Sequence, residues 1–150
     1  MQFSLVIPCY NEANGLQKLV QRCAEVSYGR AGEIILVDNG SSDATSEMLP
    51  DLIANHAQIR AIRVERNLGY GHGIMAGLQA ARFDLLSWTH ADLQTDPEDA
   101  YKAHQVFLKA HNPIYTFVKG KRIARPMKDR VFTFGMSLME SSMFGYFLSD

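Results

Sequence analysis

Glu33-Ile34-Ile35-Leu36-Val37-Asp38-Asn39-Gly40-Ser41-Ser42-Asp43 decides the architecture. The run from Glu33 to Asp38 is apolar enough to be a strand buried on both faces, as parallel strands are. It ends in a turn, Asn39 to Ser42, after which Ser42 or Asp43 supplies the N-cap of a helix. That helix runs through Met48, Leu52 and Ile53, and Pro50 is expected to interrupt it, by a bend or a shifted start.

The same strand, loop and helix order recurs on either side. Upstream, Phe3 to Cys9 reads as a strand broken by Pro8, Tyr10-Asn11-Glu12 as a loop, and Glu12 to Val26 as a helix with Leu16, Leu19, Val20 and Cys23 on one face. Downstream, Ile59 to Glu65 alternates as a third strand, and Gly69-Tyr70-Gly71-His72-Gly73 leads into a helix from Ile74 to Ala81. A fourth, buried strand follows from Phe83, then a helix from Glu98 to Ala110 and a fifth strand from Ile114 to Val118. Strands alternating with helices predict an α/β fold: a mostly parallel, Rossmann-like sheet with helices on both faces and right-handed crossovers.

Composition narrows the class. The chain has 150 residues, 47% of them apolar and 21% charged, which suits one folded domain and argues against disorder. A formal net charge of -1 gives no global field toward nucleic acid. Cys9 and Cys23 have neither metal-type spacing nor a disulfide framework, and Met1 to Leu5 lacks the pattern of a signal peptide. A reduced, cytoplasmic setting is expected, and no apolar stretch reaches the length of a membrane span.

The fourth strand ends in Thr89-His90-Ala91-Asp92-Leu93-Gln94-Thr95-Asp96-Pro97. Side chains two apart on an extended chain point the same way, so His90, Asp92 and Gln94 are expected to face one ion if the strand persists. Ligands bind outside the carboxyl ends of parallel strands. Three loops should therefore converge on one edge: Pro8 to Glu12, Asp38 to Asp43, and the His90 cluster. Tyr10 offers a face for a base, a strand-end aspartate accepts from base or ribose, and a metal would neutralise a diphosphate. Taken singly, Tyr10 is a packing residue and the Asp38 loop only a turn; taken together, the three make a nucleoside diphosphate site. The glycine run invites a rival, dinucleotide binding. That fingerprint needs its glycines after the first strand, where this chain has Pro8-Cys9-Tyr10.

Val6-Ile7-Pro8-Cys9-Tyr10-Asn11-Glu12, then Val37-Asp38-Asn39-Gly40-Ser41-Ser42-Asp43-Ala44-Thr45, then Arg66-Asn67-Leu68-Gly69 resemble the successive signatures of family 2 glycosyltransferases of GT-A fold. His90-Ala91-Asp92-Leu93-Gln94 stands in the place of their Asp-x-Asp motif, and its continuation is similar to the branch of dolichyl-phosphate mannose synthase and bacterial polyprenyl-phosphate sugar transferases. The resemblance covers nearly the whole chain.

The resemblance implies roles. Pro8, Tyr10 and Glu12 would line the nucleoside pocket, Asp38 would hold the base, and Asn67 and Gly69 would lie beside the nucleotide. Asp92 would carry the surviving acid of the motif, and Gln94 would help bind a divalent cation, Mn2+ or Mg2+. Gly120-Lys121-Arg122 matches a Gly-Ser-Arg of that branch, so Arg122, with Lys121 and Arg130, would face an acceptor phosphate. His90 departs from the pattern, replacing an acid. Either it ligates a softer ion such as manganese, or it stands outside the shell while Asp92, Gln94 and diphosphate hold the metal.

The reaction implied is inverting, metal-assisted sugar transfer from a UDP- or GDP-sugar to polyprenyl or dolichyl phosphate. A hydroxyl acceptor on a cell-surface glycan would need a base, and Asp96 is the carboxylate nearest the cluster. A phosphate acceptor needs cations instead. Residues 1–118 would form the nucleotide-sugar-binding core, and residues 119–150 the start of an acceptor-side region, cut short relative to the family. There Val131 to Leu148 reads as an amphipathic segment at the inner face of a membrane or as a core helix, and its apolar surface favours self-association. The competing functional class is a nucleotide-sugar-binding module without turnover.

Overall fold

The computed structural model describes residues 1–112 and 115–120. The chain divides into two compact units, Met1–Val118 and Lys119–Asp150. Lys121, Arg122, Arg130 and the segment from Val131 to Leu148 lie outside the described residues.

In the first unit the order is β1 (Phe3–Cys9), α1 (Ala13–Ser27), β2 (Glu33–Asn39), α2 (Thr45–Ile53), β3 (Ile59–Val64), α3 (Tyr70–Gln79), β4 (Leu85–Trp88) and α4 (Glu98–Phe107). The four strands form a parallel sheet in the order β3-β2-β1-β4. The apolar runs of β1 and β2 make them its centre, buried at every residue. Because side chains alternate along a strand, β1 serves two cores. Phe3, Leu5, Ile7 and Cys9 pack on one face with Leu16, Leu19 and Cys23 of α1, Leu49 of α2 and Tyr101 of α4. Val6, with Ile35 and Val37 of β2, packs on the other face against Ala76 and Leu78 of α3. Helices thus cover both faces, as the alternating pattern predicts.

α1 follows from its sequence period. Leu16, Leu19, Val20, Cys23 and Val26 are all buried on one stripe, and each large side chain so removed from water contributes roughly 1.5–3 kcal/mol. The amino-terminal edge of the sheet is closed by a charged cluster. Glu33 accepts from Ser4 Oγ at 2.8 Å, from Arg60 Nε at 2.7 Å and from the Arg82 backbone N–H at 2.7 Å.

Several expectations are corrected. Pro50 does not interrupt α2, which continues to Ile53; the proline is exposed, where the carbonyl it leaves unpaired can bond water. α3 begins at Tyr70, not Ile74, so the glycine run is helical. The helix packs closely on the sheet: a Cβ on Gly77 would run into Val6 Cγ1 and stand 2.9 Å from Val37 Cγ2. β4 is not a buried strand. It is four residues long at the sheet edge, with Leu86 42% and Trp88 44% exposed. Residues 115–118 form no strand, and Ile114 lies outside the described residues. Instead the Asn112 carbonyl accepts from Tyr115 N–H and Thr116 Oγ1. Among the described residues no helix is long and apolar enough to cross a membrane.

Candidate functional site

The chain leaves β1 toward β2 and β3 on one side and returns to β4 on the other, so the carboxyl ends of β1 and β4 bound a topological switch point. Pro8 helps open it. The Val6 carbonyl accepts Thr89 N–H at 3.0 Å, so Val6 faces β4, and Pro8, two residues on, turns its nitrogen the same way. The last pair of that ladder is Val6 with Trp88. The missing N–H of proline therefore falls where no partner strand remains, and the two chains part.

The loops after β1 and β2 are tied to each other. Asn11 N–H donates to Ser41 Oγ at 3.1 Å, and Asn11 Oδ1 accepts Ser42 N–H at 2.9 Å. Asp43 accepts the N–H of Ala13, the first residue of α1, at 3.1 Å and that of Thr45, the first residue of α2, at 3.0 Å. These bonds, led by the Thr45 side chain, hold the Asp43 carboxyl below its ordinary range. Tyr10 stands at this edge 47% exposed, its ring open to a ligand. Glu12 is half-buried beside it.

Asp38 is only 2% exposed. Its Oδ1 accepts Ser41 N–H at 2.9 Å, and its Oδ2 accepts the Ser46 hydroxyl and lies 3.6 Å from Arg63 Nε. The carboxylate thus shapes the loop, and a base could meet no more than its edge.

The third wall comes from the segment before α3. Gly40, at φ +70°, lets the β2 loop approach it so closely that a Cβ would stand 2.8 Å from the Arg66 carbonyl carbon. Asn67 Oδ1 accepts Gly69 N–H at 2.8 Å. Gly69, at φ +103°, then starts α3 without a side-chain cap or an acidic residue in the first turn. An uncapped helix N-terminus favours an anion. Tyr70 stacks on His90 with ring centroids 5.1 Å apart and planes 5° from parallel. Burial, and then the charge of Asp92, push the Tyr70 phenol up. The glycine run and the His90 cluster therefore meet at one place.

The cluster is not extended, which overturns the expected ladder of His90, Asp92 and Gln94. Asp92 Oδ1 captures the Gln94 N–H at 3.0 Å, and Leu93 takes φ +57°, so the chain turns. Asp92, Gln94 and His90 are all exposed. Among the described residues no three His, Cys, Asp or Glu side chains are grouped to hold a metal ion. The donor chemistry fits a different arrangement, in which one carboxylate, Asp92, shares an ion with diphosphate oxygens and water, as magnesium sites often do.

Asp96, the carboxylate nearest the cluster, is tied to two helices. Arg22 of α1 grips it, Nε at 3.0 Å from Oδ1 and Nη2 at 2.9 Å from Oδ2, while Oδ1 also accepts Glu98 N–H at the start of α4. The Arg22 bonds hold its carboxyl below the usual range. Sequence reasoning missed Arg22, Tyr70 and Asn11. Arg22 stands with Lys18 on the polar side of α1 beside its local partner Glu25, with no sign of a partner 74 residues away, whereas Asn11 sat inside a loop already singled out.

The family model of Glycosyl transferase family 2 matches residues 4–145. The chain is 42% identical over 101 residues to an undecaprenyl-phosphate 4-deoxy-4-formamido-L-arabinose transferase of Pectobacterium carotovorum, covering 64% of this chain and 30% of that protein. It is 37% identical over 102 residues to a dodecaprenyl-phosphate galacturonate synthase of Rhizobium johnstonii, covering 66% and 30%. The chain thus spans 30% of the length of these relatives. Among solved structures it resembles the mannosyltransferase PcManGT from Pyrobaculum calidifontis in complex with GDP-Man and Mn2+, with a TM-score of 0.55, 24% identity and coverage of 60% of this chain and 27% of that one. It also resembles S. aureus TarS 1-349 in complex with UDP-GlcNAc, with a TM-score of 0.61, 20% identity and coverage of 85% and 38%. These likenesses agree with the GT-A fold expected from the sequence.

Proposed function

This chain belongs to glycosyl transferase family 2, and from that premise we propose that it forms the donor side of an enzyme moving a sugar from a nucleoside diphosphate sugar to a polyprenyl phosphate. The observation that carries the reading is the convergence of Tyr10, the Asp38–Asp43 loop, Gly69–Tyr70 and Asp92 at the switch point between β1 and β4. The relatives named for undecaprenyl and dodecaprenyl phosphate support the acceptor class. A fold neighbour solved with GDP-Man and Mn2+ supports a divalent ion.

Each group then has work to do. Tyr10 stacks the base, with Pro8 and Glu12 beside it and the edge of Asp38 within reach. Asn67 and Gly69 follow the nucleotide, and the uncapped start of α3 faces the diphosphate. Asp92, assisted by Gln94, would hold a divalent ion, which when bound stabilises charge on the departing diphosphate. His90, stacked on Tyr70, stands outside that shell.

The acceptor phosphate is already an anion and attacks the anomeric carbon from the face opposite the diphosphate, which inverts the configuration. It needs cations, the role of Lys121, Arg122 and Arg130. It needs no carboxylate base, which accords with Asp96 being engaged by Arg22. On this reading a lipid-linked acceptor would bring the reaction to the inner face of a membrane, with the chain as a peripheral partner.

The test is a thermal-shift panel of UDP and GDP with Mn2+ or Mg2+, followed by radiolabelled sugar transfer to polyprenyl phosphate in the longest available chain. Nucleoside diphosphate should raise the melting temperature, since it binds only the folded form. Binding with no transfer would instead favour a nucleotide-sugar-binding module, the reading that the single motif carboxylate supports. No binding of either nucleotide would end the donor-site assignment.

A further inference from the structure

Asn39 closes β2 at the site edge and is 2% exposed. Its Nδ2 donates to the Gly69 carbonyl at 3.1 Å. Only the nitrogen of an amide can donate, so this bond fixes which way the group points. The other end, Oδ1, is buried with no hydrogen-bond partner among the described residues. Buried polar atoms are nearly always paired, and an orphan acceptor calls for a reason.

Gly73 supplies the reason. A Cβ there would stand 2.9 Å from Asn39 Cγ and 3.2 Å from Oδ1, so the amide lies flat beneath the first turn of α3. The orphan acceptor is tolerated because the same packing keeps the donor end on Gly69. Gly69 has no side-chain cap of its own for the helix it starts. Asn67 takes its N–H, and Asn39, from β2, holds its carbonyl. The next residue, Tyr70, carries His90 on its ring, two positions from Asp92.

We propose that Asn39 is a positioning residue of the donor site: its amide fixes where α3 begins, and hence where the Tyr70–His90 ring pair stands beside Asp92. The functional half of the inference rests on the donor-site reading above; the structural half rests on geometry alone.

Asn39→Asp separates this role from filling space. The replacement keeps size and shape, yet a carboxylate cannot donate to the Gly69 carbonyl. Two readouts are taken on the full chain at one fixed pH. The first is the ring-current shift that Tyr70 imposes on the His90 ring protons in the NMR spectrum. The second is affinity for UDP and GDP. In Asn39→Asp the His90 shift should collapse toward that of an exposed histidine, and nucleotide affinity should fall about tenfold, the worth of one hydrogen bond. An unchanged His90 shift in folded Asn39→Asp overturns the proposal, as does unchanged affinity where wild type binds. If wild type binds neither nucleotide, the donor-site reading falls, and the His90 shift alone decides the positioning claim. Should the variant not fold, the wild-type spectrum decides. Overhauser contacts from the Asn39 amide protons to the α protons of Gly69 and Gly73 uphold the claim, and their absence sinks it.

Discussion

Thr45 Oγ1 accepts the backbone N–H of Glu12 at 2.9 Å. Thr45 is wholly buried at the start of α2, and Glu12 immediately precedes α1, so one hydroxyl joins the two loops that flank Tyr10. Replacing Thr45 with valine keeps the volume and removes the acceptor. Leaving the Glu12 N–H unpaired should destabilise the chain by about 1–3 kcal/mol. Urea unfolding measures that loss. Isothermal titration with UDP and GDP should show weaker binding as well, because the loop carrying Tyr10 loses a tether.

Glu33 makes a prediction about pH. Burial alone would raise its pKa, but the bonds from Arg60, the Arg82 backbone and Ser4 outweigh it and leave the carboxyl below its ordinary value. A depressed folded pKa means stability that is present above the unfolded value and lost as pH falls through the folded one. Glu33→Gln should therefore cost about 2 kcal/mol near neutrality, as charged hydrogen bonds do. The gap to wild type should narrow below the pKa of an unfolded glutamate, about 4.3. Melting curves from neutral to acid pH check it. A gap that does not change with pH would show that the charge on Glu33 contributes nothing. Nucleotide affinity should not change, since Glu33 lies at the opposite sheet edge.

Gly77→Ala tests the packing of α3. In an exposed helix alanine would gain about 1 kcal/mol over glycine. Here its methyl group meets Val6 and Val37, and overpacking of this kind costs roughly 1–3 kcal/mol. Net destabilisation in thermal unfolding is the expected result, and a rise in melting temperature would contradict the close contact.

Asp96→Asn distinguishes a base from a tie. The carboxylate links Arg22 of α1 to the start of α4, so the variant should melt at lower temperature while retaining its turnover number on a phosphate acceptor. A collapse of turnover with unchanged melting would restore Asp96 as a base.

Much of this was legible in the sequence, for a physical reason. The runs Phe3–Cys9 and Glu33–Asp38 and the stripe Leu16, Leu19, Val20, Cys23 report burial directly, because the side-chain period is the fold's own. What escaped were effects of distant neighbours. The glycine run reads as a lead into a helix from Ile74, yet α3 already includes it, and Gly73 and Gly77 are required because the helix lies against Asn39, Val6 and Val37. The His90 cluster read as a continuing strand because alternation was visible, whereas the bond from Gln94 N–H to Asp92 that turns the chain was not. Arg22 showed nothing of Asp96. The order of the loops along the chain indicated which edge would hold a site, but not which side chains in them serve each other rather than a ligand, as Asp38 and Asn39 do.

Asp43 places one acceptor between the leading amides of α1 and α2. Oδ2 takes the first amide and Oδ1 the second, so a movement of the Asp43 side chain frees both together. Hydrogen exchange at Ala13 and Thr45 should therefore report a single opening event, and the two βα units behave there as one cooperative unit of unfolding.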